Sequence, residues 1–187
     1  LSGKDKDLLR KCLLKFDGKS LLQRHIEALA HLQIKSITIV VGFKSNDIVR
    51  EIEKFQANEF VNFVVNDQFD RGSVVSLWCA RKILRSGYPI LFMDADVLYH
   101  TCLIKKLTGP SVRSIVPYDR IFEASDEPVK LCLRNQQPVE FRKTVDCIYD
   151  QIGEWPGFMR LSPKSASLIA DDLGERMVNG DLDSPCE

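Results

Sequence analysis

A rhythm of short apolar runs alternating with amphipathic stretches confines this chain to an α/β fold. Ser36 to Val41 is nearly continuous in apolar residues, as expected for a strand of a parallel sheet covered on both faces. Val61 to Val65 and Ile90 to Met93 repeat that signal. Leu21 to Leu32 places Leu22, Ile26, Leu29 and Ala30 at three-to-four spacing, which predicts a helix. Asn46 to Phe55, with Ser45 or Asn46 as N-cap, and Ser73 to Leu84 are helical by the same criterion. Strand and helix in alternation imply right-handed crossovers and a parallel sheet.

Beyond Asp96 the rhythm changes. Ser114 to Val116, Val129 to Leu133 and Val139 to Arg142 read as short strands, and Arg134-Asn135-Gln136-Gln137 reads as a turn. This predicts an antiparallel hairpin late in the sheet. Pro163 to Leu173 is a helix with Ser162 as N-cap and Pro163 at its first position. Without a repeat, low-complexity tract or linker, the 187 residues are expected to form one domain around one core.

Composition narrows the function. Lysine plus arginine and aspartate plus glutamate number 26 each, so nothing in the overall charge suggests a nucleic acid or an anionic membrane as partner. The longest apolar runs, Ile37 to Phe43 and Pro89 to Met93, fall far short of the roughly 20 residues of a membrane-spanning helix. Cys12, Cys79, Cys102, Cys132, Cys147 and Cys186 form no CxxC pair, which argues against a thiolate metal site or a disulfide framework. Reduced, mostly buried thiols in a cytoplasmic protein are expected. His25, His31 and His100 show no ligand spacing, and His25 and His31 are expected at a helix surface or edge.

The sharpest chemical signal is Asp94-Ala95-Asp96 at the end of the strand Ile90 to Met93. Ligands of open parallel sheets bind beyond the carboxyl ends of the strands. Magnesium takes one or two carboxylates and leaves its other positions to water and phosphate oxygens. The structural alternative is a pair of aspartates that cap and solvate a strand end.

The opening, Leu1-Ser2-Gly3-Lys4-Asp5-Lys6-Asp7-Leu8-Leu9-Arg10-Lys11-Cys12-Leu13-Leu14 followed by Phe16-Asp17-Gly18-Lys19-Ser20-Leu21-Leu22, resembles that of MobA-like and sugar-phosphate nucleotidyltransferases. Their pattern runs L-x-x-G-x-G-x-R-L, K-P-L-L, G-x-x-L-L. The resemblance implies a three-layer Rossmann-like nucleotidyltransferase fold, with Gly3 in the loop around the triphosphate and Lys11 as the lysine that meets phosphate charge. Asp5 and Asp7 depart from the pattern, standing where the second glycine and the arginine are expected. Asn66-Asp67-Gln68-Phe69, Ser73 and Ser76-Leu77-Trp78 resemble the phosphocholine or aminoethylphosphonate cytidylyltransferase branch, in which this stretch frames the nucleotide. Asn66, Ser73 and Ser76 are carried over on that basis, with an Asx turn and a helix cap as the structural alternative.

The same resemblance assigns Asp96 as metal ligand, Asp94 to metal and nucleotide, Lys143 to the acceptor's phosphate, and Glu187, in Gly180 to Glu187, as second metal ligand. It also implies a first strand before Leu1, a further strand after Glu187 and room for a fused domain. Trp78, Trp155, Tyr118 and Phe122 are candidates for a quaternary ammonium cage, or for core packing.

The implied reaction is magnesium-dependent transfer of a nucleoside monophosphate, with CTP the favoured donor, to a phosphorylated alcohol, phosphonate or sugar, releasing pyrophosphate. The contrasting reading, motivated by Asp5 and Asp7, is an inactive domain of the same fold with a regulatory or interaction role. A glycosyltransferase, which also uses Asp-x-Asp and magnesium, is a third.

Overall fold

The structure is a computed structural model that describes residues 11–32, 34–123 and 125–186. A 3₁₀ turn, Lys11–Leu13, leads into a two-residue hairpin of β1 (Lys15–Phe16) and β2 (Lys19–Ser20). Its turn residues Asp17 and Gly18 have φ of 50° and 77°, the left-handed pair that tight hairpins favour. Ser20 then caps α1 (Leu21–His31), its Oγ accepting the N–H of Gln23 at 3.1 Å. There follow β3 (Ile37–Val41), α2 (Ser45–Lys54), β4 (Val61–Val65), α3 (Ser73–Cys79), α4 (Arg81–Leu84), β5 (Ile90–Met93) and α5 (Thr101–Leu107). The later part holds β6 (Lys130–Arg134), β7 (Gln137–Arg142), β8 (Gln151–Glu154), β9 (Phe158–Leu161) and α6 (Pro163–Val178).

The mostly parallel sheet expected from the sequence is realised only in part. Among the described residues, β3 and β4 form the parallel ladder, running from Ile37 opposite Val61 to Val41 opposite Val65. β5 pairs antiparallel with β9, and β6 lies between antiparallel β7 and β8. The physical reason is that the strands after β5 connect through turns and hairpins, which return the chain in the opposite direction. The predicted late hairpin is β6–β7, with Asn135 and Gln136 at φ of 51° and 62° in its turn.

Side-chain alternation makes three layers. Leu91 and Met93 of β5 point to α1 and α5, packing with Leu29, Ile104, Leu107 and Phe158. Ile90 faces the opposite way, into the cluster of Val74, Val75, Leu84, Ala166, Ala170 and Leu173 from α3, α4 and α6. Leu22 and Ile26 of α1 also pack with Ile52 of α2 over β3 and β4. Thus α1, α2 and α5 cover one face and α3, α4 and α6 the other. No helix among the described residues is long and apolar enough to cross a membrane.

Three local expectations are corrected. α2 is capped by Lys44 in the left-handed region at φ 50°, not by a Ser45 or Asn46 side chain, because the turn after β3 already directs the Ser45 N–H to Gly42 O. The helix expected over Ser73 to Leu84 breaks at Ala80, and the strand expected at Ser114 to Val116 is a single bridge from Ile115 to Arg160.

Candidate functional site

Strand β5 delivers Asp94 and Asp96 to its carboxyl end. Its last pair is Met93 with Phe158, and the ladder extends one step further as Asp94 donates its N–H to Gly157 O at 2.7 Å. Gly157 sits at φ 85°, a conformation that glycine adopts without steric cost. A Cβ there would lie 2.6 Å from Val97 Cγ2 and 3.2 Å from Asp94 Oδ2. The missing side chain therefore lets the β8–β9 turn close directly onto the aspartate turn.

The other side of that turn is held from α1. His25 faces the backbone of Val97, and its ring lies 5.0 Å from that of Tyr99. Tyr99 in turn meets Phe158 edge-on at 5.6 Å. The sequence predicts His25 at a helix surface or edge, whereas in the structure it is buried, 6% exposed. Burial holds its pKa below the ordinary 6.5 and outweighs the raising effects of the Val97 backbone and the Asp96 charge. Burial likewise pushes the Tyr99 hydroxyl up to about 12.

Lys11 approaches from the 3₁₀ turn, which Cys12 anchors against α1 by packing with Leu22 and Ile26. Its Nζ lies 3.7 Å from Asp96 Oδ2, and the side chains are 81% and 36% exposed. An exposed pair of this kind contributes little to stability, on the order of 0–1 kcal/mol. Lys11 is thus free in energetic terms to turn toward a ligand phosphate.

Asn66 continues the β3–β4 ladder by donating its N–H to Val41 O at 2.8 Å. Its side chain donates Nδ2–H to Ser76 Oγ at 3.0 Å and accepts the N–H of Gln68 at 2.9 Å. Asn66 and Ser76 are therefore brought together, and an Asx turn is part of how. Ser73 Oγ accepts the N–H of Cys186 at 2.8 Å. The C-terminal segment packs on the start of α3 there: Gly72 and Val74 donate to Leu182 O and Ser184 O at 2.8 and 3.4 Å.

Lys143 is exposed just after β7, where its carbonyl accepts from Lys130 Nζ at 2.6 Å. Its position is set by the hairpin, away from the β5 terminus in sequence and element. Gly3 and Glu187, with Asp5 and Asp7, lie outside the described residues.

Trp78, Trp155 and Tyr118 are each engaged in contacts of their own. Trp78 sits beneath the Arg81 guanidinium at 4.5 Å, whereas Trp155 stacks on Phe92 at 5.9 Å and meets Phe141 edge-on at 5.5 Å. Tyr118 lies against Gly153 and donates its hydroxyl to Gln151 Oε1 at 2.9 Å. Trp155 instead lines an apolar cavity of about 350 Å³ with Phe92, Phe141, Met159 and Leu168.

The two aspartates at this strand terminus fit a hard divalent cation in donor type and number, since magnesium needs few protein carboxylates. Among the described residues no group of three or more metal-ligating side chains forms.

Comparison with known proteins places this geometry in context. A family model described as the MobA-like NTP transferase domain matches residues 5–115. CTP:phosphoglutamine cytidylyltransferase of Campylobacter jejuni is 22% identical over 115 residues, 59% of this chain and 44% of that protein. The chain spans less than half the length of the curated relatives it matches. The solved structure of CTP:phosphocholine cytidylyltransferase from Streptococcus pneumoniae is similar with a TM-score of 0.66 at 20% identity, covering 94% of this chain and 72% of that one. For the inositol-1-phosphate CTP transferase from T. maritima the TM-score is 0.70 at 16% identity, with 95% and 69% covered.

Proposed function

The chain belongs to the MobA-like NTP transferase family, and from that premise we propose that it transfers a nucleoside monophosphate, with CTP the favoured donor, to a phosphorylated small molecule. The acceptor is a phosphorylated alcohol, phosphonate or sugar, and pyrophosphate is the leaving group. The relatives that act on CTP and a phosphorylated partner support this reading. The observation that carries it is the Lys11 ammonium 3.7 Å from Asp96 Oδ2, beside Asp94, at the carboxyl end of β5.

In this reaction an acceptor phosphate oxygen attacks the α-phosphorus in line, so the nucleophile arrives already charged and no protein nucleophile is needed. What the protein supplies is position and charge. Asp96, the more exposed carboxylate, and Asp94, turned toward Gly157, would hold magnesium, with Glu187 as a further ligand. Magnesium, when bound, neutralises phosphate charge and orients the leaving group. Lys11, tethered by its attraction to Asp96, moves its ammonium onto the triphosphate. Gly3 supplies backbone to the same phosphates. Asn66 and Ser76, locked to each other, keep the loop after β4 in one shape beside the nucleotide, and Ser73 ties that loop to the C-terminal segment. Lys143 on the hairpin meets the acceptor's phosphate.

The test is thermal stability with magnesium and each of CTP, UTP, GTP and ATP, alongside pyrophosphate release with phosphorylated acceptors. A donor at 100 times its Kd should add roughly 2.7 kcal/mol of stability. Asp96→Ala should abolish the magnesium-dependent shift while leaving the unliganded midpoint nearly unchanged. No shift with any nucleotide would favour the inactive domain instead.

A further inference from the structure

The late hairpin brings together two cysteines that the sequence keeps apart. Cys132, in the middle strand β6, is fully buried, and Glu140 on β7 is its direct cross-strand partner. The register shifts just after Cys132, leaving Val139 as an extra residue that bends β7. Beyond β7 the chain folds back, and Glu140 Oε2 accepts the N–H groups of Asp146 and Cys147 at 3.1 and 3.2 Å. Glu140, paired across the ladder with Cys132 and bonded to the Cys147 amide, therefore gathers both cysteines around one carboxylate. Arg142 Nε, 2.9 Å from Glu140 Oε1, holds that carboxylate from its other side. Both cysteines are free thiols in this structure.

We propose that Cys132 and Cys147 form a dithiol site that closes to an intramolecular disulfide on reaction with a low-molecular-weight disulfide, stapling β6 to the loop that carries Lys143. Two thiols gathered around one carboxylate must close to the bonded separation of about 2 Å, and the half-buried Cys147 lies in the loop after β7, which can supply the movement. Cys147, the accessible partner, attacks one sulfur of the oxidant as thiolate and expels one thiol. Cys132 then attacks the Cys147 sulfur of the mixed disulfide and expels the second. The two protein sulfurs lose two electrons to the oxidant, and the two protons they release end on the two departing thiols. The hydrogen bond to Glu140, with burial, pushes the Cys147 thiol up to about 11, so the first attack is slow at neutral pH and the reduced pair persists until oxidant accumulates. The proposal does not rest on the transferase reading.

The experiment incubates the full chain with glutathione disulfide, alkylates remaining thiols, and digests it without reduction for mass spectrometry. The expected result is a linked peptide pair containing Cys132 and Cys147, an intact mass lower by two hydrogens, and reversal by dithiothreitol. Cys147→Ser, at a half-buried position that leaves the core intact, should yield no link and leave Cys132 alkylated. Recovery of Cys132 alkylated from oxidised wild type, with Cys147 held as a glutathione adduct, would overturn the proposal. So would a bond from Cys132 to any other cysteine.

Discussion

Gly157→Ala probes whether the closure of the β8–β9 turn onto the aspartate turn is what aims Asp94. The residue's φ of 85° costs an alanine on the order of 1 kcal/mol relative to glycine. The added Cβ would stand 2.6 Å from Val97 Cγ2, where ordinary contact begins near 3.4 Å, so Val97 or the turn must shift. Val97 packs against the cluster of Leu29, Ile104 and Phe158, and overpacking of that kind typically costs about 1–3 kcal/mol. The sum, about 2–4 kcal/mol, corresponds to a fall of roughly 4–16 °C in Tm for a chain of this size. Urea and thermal unfolding measure it. Val97→Ala in the same chain should recover the collision part and leave the backbone part, giving a non-additive pair. A loss below about 0.5 kcal/mol, the range of ordinary surface substitutions, would refute the reasoning, because the turn would then have room that the geometry denies it.

Three other outcomes follow from single residues. Arg160 donates Nη1 to Leu107 O and Gly109 O at 3.1 and 2.5 Å and Nη2 to Ser111 O, closing the end of α5. Arg160→Ala should cost about 2–4 kcal/mol in urea unfolding, and Arg160→Lys should recover only part, since an ammonium lacks the fork. Gln136→Gly should raise stability by about 0.5–1 kcal/mol in the same assay, because Gln136 occupies φ 62° in the β6–β7 turn. His25 is held neutral by burial, with its folded pKa below the ordinary 6.5. Folding therefore excludes a proton: the contribution is fully present above pH 6.5 and declines as pH falls from there toward the folded value. The stability difference between wild type and His25→Gln should shrink over that window in pH-dependent denaturation. A difference constant with pH would remove His25 as the cause.

Much of the fold is legible from residue types. Val61–Val65 and Ile90–Met93 have the same bounds in sequence and structure, because unbroken apolar runs of that length have few alternatives. Ser162 and Pro163 start α6 for reasons local to two residues. By contrast, β8 and β9 are missed because Gly153, Pro156 and Gly157 break their alternation, and their pairing partners lie far away along the chain. α5 is too short for its periodicity to stand out over seven residues. In the candidate site, the placement of Asp94 and Asp96 at a strand terminus is legible from the apolar run before them. The burial of His25 is not, since it depends on Val97 and Tyr99, which the segment after β5 brings against α1. Nor is the approach of Cys132 to Cys147, which the bulge and Glu140 create only once the hairpin has formed.

The contact of residues 182–186 with the start of α3 also bears on when the loop after β4 can mature during synthesis. Gly72 and Val74 have their acceptors in Leu182 and Ser184, while Arg71 and Asp183 join across 112 positions. A Cβ on Gly72 would lie 2.2 Å from Ser184 O, so the fit is close as well as hydrogen-bonded. A ribosome that has released β3, β4 and α3 has therefore not yet supplied the partners of that helix's first amides. The Asn66–Ser76 loop acquires its final setting only after α6 has emerged, which orders assembly with the sheet first and this rim of the candidate site last.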